Sequence, residues 1–375
     1  MPAAVESNVI VALSGGVDSA VAASLLMERG YRVQGLFMSN WEEDETGYCT
    51  SAEDFQDARR VAEVLGIPLH KASFAREYRE RVFRHFLEEY RAGRTPNPDV
   101  LCNREIKFGA CYEHARRLGG HYFATGHYAR VARIGEEMAL LRAQDQSKDQ
   151  TYFLHAIDPA LLANVLFPVG DLQKSEVRAY ARERALPVHD KKDSTGICFI
   201  GERPFAEFLG SYLPAQPGAI ESAEGETLGR HLGLMCYTIG QRQGLGVGGR
   251  KGASDEPWYV ADKDLERNVL IVVQGQSHPR LMSRALETEA MHWLIGGGLP
   301  SGRLEAQIRH RQRPVAVDLQ LRTDGTALIE FREAQRAVAP GQSVVLYAGE
   351  RCLGGATIRR AVPLSERAAG LRARA

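Results

Sequence analysis

The sequence predicts an α/β protein in three parts. A doubly wound parallel sheet covers residues 1–205, a small central β-rich module 206–278 and a C-terminal β-barrel 279–362, with a flexible tail at 363–375. Three observations lead there. Short apolar runs alternate with helical periodicities through the first 200 residues, as successive βα units require. Beyond residue 205 the chain turns glycine-rich, with short β-like runs split by Asp-Gly and Pro-Gly turns. A chain of 375 residues also exceeds one core, at roughly 100–200 residues per domain.

The elements follow in order. Residues 9–13 (VIVAL) are wholly apolar and end in Ser-Gly-Gly, the pattern of a buried parallel strand. Residues 17–29 are rich in helix formers and stop at Gly30, and 33–38 (VQGLFM) are the next strand. Phe55, Ala58, Val61, Ala62 and Leu65 recur at helical spacing and close at Gly66, after which 68–72 run extended. Tyr78, Val82, Phe83, Phe86, Leu87 and Tyr90 mark one face of another amphipathic helix. Residues 121–125 (HYFAT) form a strand ending at Gly126. Open α/β sheets hold ligands at the carboxyl ends of their strands. Chemistry is therefore expected in the loops after Leu13, Met38 and Thr125. Pro214, Pro217 and Gly218 mark the break, and 269–273, 316–321, 327–331 and 343–347 read as strands of the β-rich half.

Charged residues at 25% and hydrophobic ones at 44% exclude a disordered or fibrous chain. No apolar run approaches the ~18 residues of a membrane span, and no basic segment precedes an apolar one as in a secretory signal. Six irregularly spaced cysteines do not make a disulfide scaffold, so a cytoplasmic enzyme with reduced thiols is expected. Zero net charge argues at first against a nucleic-acid partner, but it averages two unlike parts. Residues 280–375 hold 15 arginines, no lysine and 9 carboxylates, a net +6, and the rest of the chain is at −6. Guanidinium groups bind phosphates bidentately, so the arginine-rich part is the expected anchor for a polyanion.

Ser14-Gly15-Gly16-Val17-Asp18-Ser19 lies between a buried strand and a helix start. Two glycines let backbone N–H groups approach a phosphate, two hydroxyls add donors, and Asp18 is suited to a phosphate-bridging Mg²⁺. The plain alternative is a glycine turn with a serine cap. No Gly-Lys dipeptide occurs, so this is not a Walker A loop. Gly244, Gly246 and Gly249 satisfy G-x-G-x-x-G, but no strand precedes them and the stretch reads as a loop. Cys111, Cys236 and Cys352 sit in apolar or periodic segments, as buried thiols do, while Cys49 is in an acidic loop. Cys102 follows two prolines at an expected helix start, where a thiolate is favoured. Cys198 lies in a turn-rich stretch. Two such thiols without CxxC spacing suggest sulfur-handling groups brought together by the fold, and no zinc pattern exists. Residues 308–314 (IRHRQRP) carry arginines at near-alternating spacing, hence largely on one face if extended.

The ordered blocks SGGVDS (14–19), MSNW (38–41), TPNPDVLCNREIKFG (95–109), ATGHYAR (124–130), SKDQTYFL (147–154), DSTGICFIGER (193–203), YTIGQRQGLGVGG (237–249) and PGQ (340–342) resemble those of the tRNA-specific 2-thiouridylases. That family lies within the PP-loop ATP pyrophosphatases, whose nucleotide domain is adenine nucleotide alpha hydrolase-like. The resemblance spans residues 9–360 or so. It implies an ATP-dependent sulfurtransferase, forming AMP and pyrophosphate, that 2-thiolates the wobble uridine of tRNA. ATP with Mg²⁺ would lie against Ala12, Leu13, Ser14, Gly15, Gly16, Val17, Asp18 and Ser19, flanked by Met38 and Gly126. Asn97, Pro98 and Asp99 would meet the target base, with Asp99 as general acid/base. Cys102 would be the nucleophile and Cys198 the persulfide carrier.

Contacts to tRNA are implied for His127, Lys148, Asp149, Gln150, Arg309, His310 and Gln342, with His310 standing where relatives have tyrosine. A transient Cys102–Cys198 disulfide would form on sulfur release. Alternatively Cys102 frees hydrosulfide from the persulfide first, and a third option is an iron–sulfur cluster on the thiols. Partners implied are tRNAs for Lys, Glu and Gln, and a sulfur-relay protein or cysteine desulfurase as donor. Two other readings compete. Amidotransferase-type or argininosuccinate-type PP-loop synthetases share SGGVDS but need neither the thiol pair nor a basic β part. A non-catalytic RNA binder with a decayed nucleotide site would not keep SGGVDS, Asp99, Cys102 and Cys198 together.

Overall fold

The computed structural model describes residues 7–41, 51–192, 204–247, 256–364 and 366. Strands β1 (Asn8–Ala12), β2 (Arg32–Ser39), β3 (Leu69–Ser73) and β4 (Tyr122–Ala124) pair in parallel in the order β3-β2-β1-β4. A hairpin of β5 (Ala129–Ile134) and β6 (Glu137–Arg142) then leaves the sheet, and β7 (Val165–Leu166) returns to extend it beside β4. Successive strand side chains point to opposite faces, and the apolar runs use both. Ile10 and Leu36 enter one core, while Val9, Val11 and Phe37 enter cores on the other side. The expected doubly wound sheet is present.

Helices α1 (Val17–Glu28) and α2 (Ser51–Leu65) pack on the second face. The helix expected around 78–90 is not uniform. It runs as α3 (Ala75–Tyr78), a π-helical turn Arg79–Phe83 and α4 (Arg84–Arg91), and buries Tyr78, Val82, Phe83, Phe86 and Tyr90 on the first face. The helix after the paired prolines begins earlier than the sequence suggested. Asn97 occupies the cap position and Pro98 opens α5 (Pro98–Leu101), where a missing N–H costs no hydrogen bond. Cys102 thus lies one turn inside, at the head of a ten-residue π-helical stretch, Cys102–Cys111, that leads into α6 (Tyr112–Arg117). Thiolate stabilisation by a helix N-terminus therefore does not apply to it. Two short helices complete this part, α7 (Thr151–Leu154) and α8 (Lys174–Glu183), the latter packed on α1 in the second core.

After α9 (Phe205–Gly210) come β8 (Gly218–Ser222), β9 (Thr227–His231), β10 (Trp258–Asp264) and β11 (Val269–Gln274), a four-stranded sheet in the order β10-β11-β8-β9. Gly244 and Gly246 lie in a turn of this module whose Leu245 enters its core, not between a strand and a helix. The last part holds β12 (Met282–Thr288), β13 (His292–Trp293), β14 (Leu304–Gln307), β15 (Val315–Leu321), β16 (Ala327–Arg336), β17 (Ser343–Ala348) and β18 (Arg351–Pro363). Six of them, β12-β16-β15-β14-β17-β18, close into an antiparallel barrel through the β12–β18 pairing. Closure leaves no free edge among the six.

The basic stretch 308–314 is not a strand. β14 ends at Gln307 and the chain turns, with Arg311 at φ +67°, so the arginines diverge instead of sharing a face. Arg309 turns inward, and Arg311 and Arg313 stay exposed. The first part meets the last along several contacts, one of them through the hairpin. The β5–β6 hairpin leans on the barrel, Leu141 pairing with Arg351, Arg142 N–H donating to the Glu350 carbonyl at 2.9 Å and Arg351 bonded to Glu137 at 2.8 Å.

Candidate active site

The nucleotide loop sits where β1 ends. Leu13 N–H donates to the Leu36 carbonyl at 3.0 Å, which holds the loop to β2. Gly15 adopts φ +77°, and a side chain there would run into the Asp54 carbonyl of α2, so only glycine fits on both counts. The loop is wired internally. Ser19 Oγ donates to the Gly16 carbonyl at 3.0 Å, lies 3.1 Å from Ser14 Oγ and accepts from Ser14 N–H at 3.2 Å. Gly16 precedes α1 without any side-chain cap, leaving the first N–H groups of α1 open to an anion. Gly126, just after β4, presses on the backbone of Asp18 and Ser19; an added Cβ would sit 2.6 Å from Ser19 N. Met38 is half-buried at the end of β2.

Asp18 is already engaged. Lys174 Nζ reaches both its carboxylate oxygens, at 2.7 and 2.8 Å, and the Tyr128 hydroxyl donates to it at 2.9 Å. A second lysine, Lys191, holds the Gly15 carbonyl at 3.2 Å and Asp54 at 2.7 Å. Sequence reasoning missed both lysines, which lie far along the chain and carry no periodic signal. The donor set does not fit a protein-held Mg²⁺. Asp18 already has its cation, and among the described residues no group of three His, Cys, Asp or Glu side chains could hold a metal or cluster.

The second group of candidate residues lies on the thiol helix. Asp99 and Cys102 are three residues apart where α5 passes into the π-helical stretch, and so share a side of the helix. Cys102 is buried, with the Asn40 amide Nδ2 at 3.9 Å from its sulfur. Asn40 Oδ1 is buried with no hydrogen-bond partner among the described residues. Burial pushes the Asp99 carboxyl above the usual carboxylate range, and the charge of nearby Lys107 partly opposes it. Lys107 also acts on Cys111 and His127, yet no hydrogen bond or ion pair engages it among the described residues. Burial drives the Cys111 thiol up to about 12, which makes it an inert core group. Asn40 and Lys107 both lie inside the resemblance blocks, but nothing local in the sequence singles them out. Cys198 and Cys49 lie outside the described residues, so the structure says nothing of the Cys102–Cys198 pairing.

The loop bearing Asn97, Pro98 and Asp99 is held from three directions. Gln342 Nε2, from the barrel, donates to the carbonyls of Thr95 at 2.8 Å and Pro96 at 3.3 Å. Thr95 N–H donates to Pro340 O at 3.0 Å, and Gly341, at φ +90°, packs directly on Thr95. From the central module, Thr238 Oγ1 lies 3.3 Å from Thr95 Oγ1. Within the first part, Asn97 bonds to the Tyr152 hydroxyl, which itself donates to Ser343 O at 2.9 Å.

Several residues expected at the RNA face inward. Asp149 is buried, accepting from Ala143 N–H at 2.9 Å and Thr151 Oγ1 at 2.7 Å, and burial raises its pKa. Gln150 accepts from Tyr128 N–H at 2.9 Å. Arg309 donates to Ile239 O at 3.1 Å and Ala337 O at 2.6 Å, tying barrel to module. His127 is buried on Phe108, 2.7 Å from Thr125 Oγ1, and burial holds its pKa well below the ordinary histidine value. His310 packs 4.3 Å from the Phe153 ring, and burial lowers its pKa below the ordinary histidine value. These side chains shape the loops that carry them. Lys148 lies at the half-exposed tip of its loop.

Comparison with known proteins gives concordant matches. Three family models cover the chain in turn: a tRNA methyl transferase HUP domain over residues 7–202, a tRNA methyl transferase PRC-barrel domain over 206–274 and an aminomethyltransferase beta-barrel domain over 283–358. The tRNA-specific 2-thiouridylase MnmA of Chromohalobacter salexigens is 57% identical over 354 residues, 94% of this chain and 92% of that one. Its namesake in Pseudomonas putida strain GB-1 is 58% identical over 365 residues, 97% of each. Among solved structures, a 4-thiouridine synthetase–RNA complex with bound ATP is 18% identical, covers 56% of this chain and 50% of that one, and has a TM-score of 0.33, too slight to carry an argument.

Proposed function

We infer that this chain, which belongs to the tRNA-specific 2-thiouridylase family, thiolates a tRNA uridine at C2 by adenylating the C2 oxygen and delivering sulfur from a cysteine persulfide. The observation that carries this reading is the loop of residues 95–99, fixed by all three parts, which brings a carboxyl of raised pKa and a buried cysteine to one side of the helix it opens into. The family models are named for methyl transfer. Relatives named 2-thiouridylases, and a buried thiol in the same part of the chain as a loop suited to phosphates, support sulfur transfer instead.

The chemistry needs both halves. Oxygen leaves a uracil C2 only as hydroxide or oxide, a poor leaving group. In the proposed order, ionised Asp99 takes the N3 proton, O2 attacks the α-phosphorus of ATP and pyrophosphate departs. Open N–H groups of the Ser14–Ser19 loop suit the charge on the phosphates. The terminal sulfur of a Cys198 persulfide then attacks C2, and AMP leaves with the oxygen. Thiolate attack by Cys102 on Cys198 Sγ breaks the S–S bond, leaves sulfur on C2 and forms the Cys102–Cys198 disulfide. A thiol reductant resets the pair. In the alternative order Cys102 first frees hydrosulfide from the persulfide. Selection of the base requires the wobble nucleotide to be splayed out of its stack.

The test is incubation with ATP, a persulfide donor and unmodified tRNA for Lys, Glu or Gln. The reading expects 2-thiouridine and AMP in step. AMP formed with a small acceptor and no tRNA would overturn it in favour of an amide-forming synthetase.

A further inference from the structure

β2 ends at Ser39, and its alternation carries through the next residue. Leu36 and Met38 enter the first core from one face of the strand and Phe37 leaves on the other, so Asn40, two residues after Met38, follows the first face. Its amide reaches the thiol helix: Nδ2 lies 3.9 Å from the Cys102 sulfur, across 62 residues of chain. Asn40 is 9% exposed and Cys102 7%. Both are held in place by their neighbours. Before Asn40, the Ser39 carbonyl accepts from Phe74 N–H at 2.8 Å; after it, the Trp41 ring sits edge-on to Phe83 at 5.0 Å and to Tyr78 at 6.2 Å. Next to Cys102, Asn103 Nδ2 donates to Phe153 O at 3.2 Å.

The way the amide is turned carries information. Reversed, it would offer Oδ1 to a protonated thiol and satisfy its own acceptor. Instead Oδ1 is buried without a hydrogen-bond partner among the described residues, and the donor faces the sulfur. An orphaned buried acceptor is costly, so the donor's contact must offset it. An N–H aimed at sulfur does so best when the sulfur is charged, because hydrogen bonds to ionised groups are roughly twice as strong as neutral ones. No helix N-terminus serves Cys102, which lies one turn inside its helix. We propose that Asn40 is a positioning residue for Cys102, its amide fixing the sulfur and favouring the thiolate, the form that attacks a persulfide. The proposal rests on the reading of Cys102 as the attacking thiol and names the group that readies it. Titratable and charged neighbours come from each element packed here: Asp99, Lys107 and Cys111 on the thiol helix itself, Tyr78 and Arg79 from residues 75–83, and Tyr152 from α7. All of them remain when Asn40 is replaced, so a shift in the titration of the thiol reports the amide.

The ultraviolet absorbance of the thiolate tests it, titrated with pH as the difference between each protein and its Cys102→Ser counterpart. No turnover is involved, so a failure of the thiolation reading and a failure of the amide stay distinguishable. Asn40→Ala and Asn40→Leu are each expected to titrate at higher pH, by the equivalent of about 3–10-fold in the ionisation constant. Leucine is close to asparagine in volume and keeps the core filled should alanine unfold it. In steady-state thiolation both variants should lose kcat by a similar factor, with KM for ATP unmoved. A titration that stays in place in the variants, or moves to lower pH, overturns the proposal. So does a kcat restored by leucine but not by alanine, which would make the amide a filler of the core. A raised KM for ATP at unchanged kcat would assign Asn40 to the nucleotide and overturn it as well.

Discussion

Replacing Gln342 by alanine separates two roles for a residue that family resemblance assigns to tRNA contact. In the structure its Nε2 donates to Thr95 O at 2.8 Å and Pro96 O at 3.3 Å. Each such bond contributes about 1 kcal/mol net, less for the longer one, so the clamp supplies roughly 1.5–2 kcal/mol, a 10–30-fold bias toward the closed loop. Three anchors survive the change: Thr95 N–H to Pro340 O at 3.0 Å, Thr95 Oγ1 to Thr238 Oγ1 at 3.3 Å and the Asn97 bond to the Tyr152 hydroxyl. The lower end, a kcat loss of about 10-fold, is therefore expected, since loosened positioning of Asp99 acts on the chemical step. KM for ATP should not move, because no bond of Gln342 reaches residues 14–19. Gln342→Glu should lose more, having lost the donor and set a carboxylate against two carbonyls. Steady-state thiolation with tRNA and ATP varied in turn is the assay, with the melting temperature as control. A raised KM for tRNA at unchanged kcat would refute the clamp and make Gln342 a direct RNA contact.

Gly126→Ala forces a methyl to 2.6 Å from Ser19 N and 2.7 Å from Asp18 C, and overpacking of this kind costs about 1–3 kcal/mol; KM for ATP should rise about 10-fold, and an unchanged value would show that the loop yields freely. Cys102→Ser and Cys198→Ser should each bind ATP and tRNA yet give no 2-thiouridine by nucleoside chromatography, and normal turnover by either would end the two-thiol scheme. Because burial raises the Asp99 pKa and a base must be ionised, single-turnover thiolation should rise with pH through a limb above the usual carboxylate range. The Lys107 charge opposes that rise, so Lys107→Met should move the limb to higher pH; a limb that stays put would remove Lys107 from the site's electrostatics.

Runs such as 9–13 and 33–38 determined the parallel sheet by themselves, because a strand buried on both faces must be apolar throughout. The nucleotide loop was equally legible, since phosphate cradles need glycine and hydroxyl donors in immediate succession. Cys102 and Asp99 could be named from the block around them. Their helical setting could not, because the π-helical stretch and the early start at Pro98 depend on how residues 98–117 pack into the core beneath. The arginines of 308–314 show the same limit. Spacing suggested one basic face, whereas the turn at Arg311 sends Arg309 into the fold and leaves Arg311 and Arg313 outside.

Only the tertiary structure decided what surrounds the reactive groups. Lys174 reaches Asp18 across 156 residues and Gln342 reaches Thr95 across 247. Such contacts leave no local pattern, because each partner satisfies only its own element's periodicity. The sequence by itself named the residues proposed for the chemistry, through short motifs whose residues stand together in one loop. The charge partners, the clamp on the base loop and the amide beside the thiol exist only where distant segments meet, and closing the chain on itself is what created them.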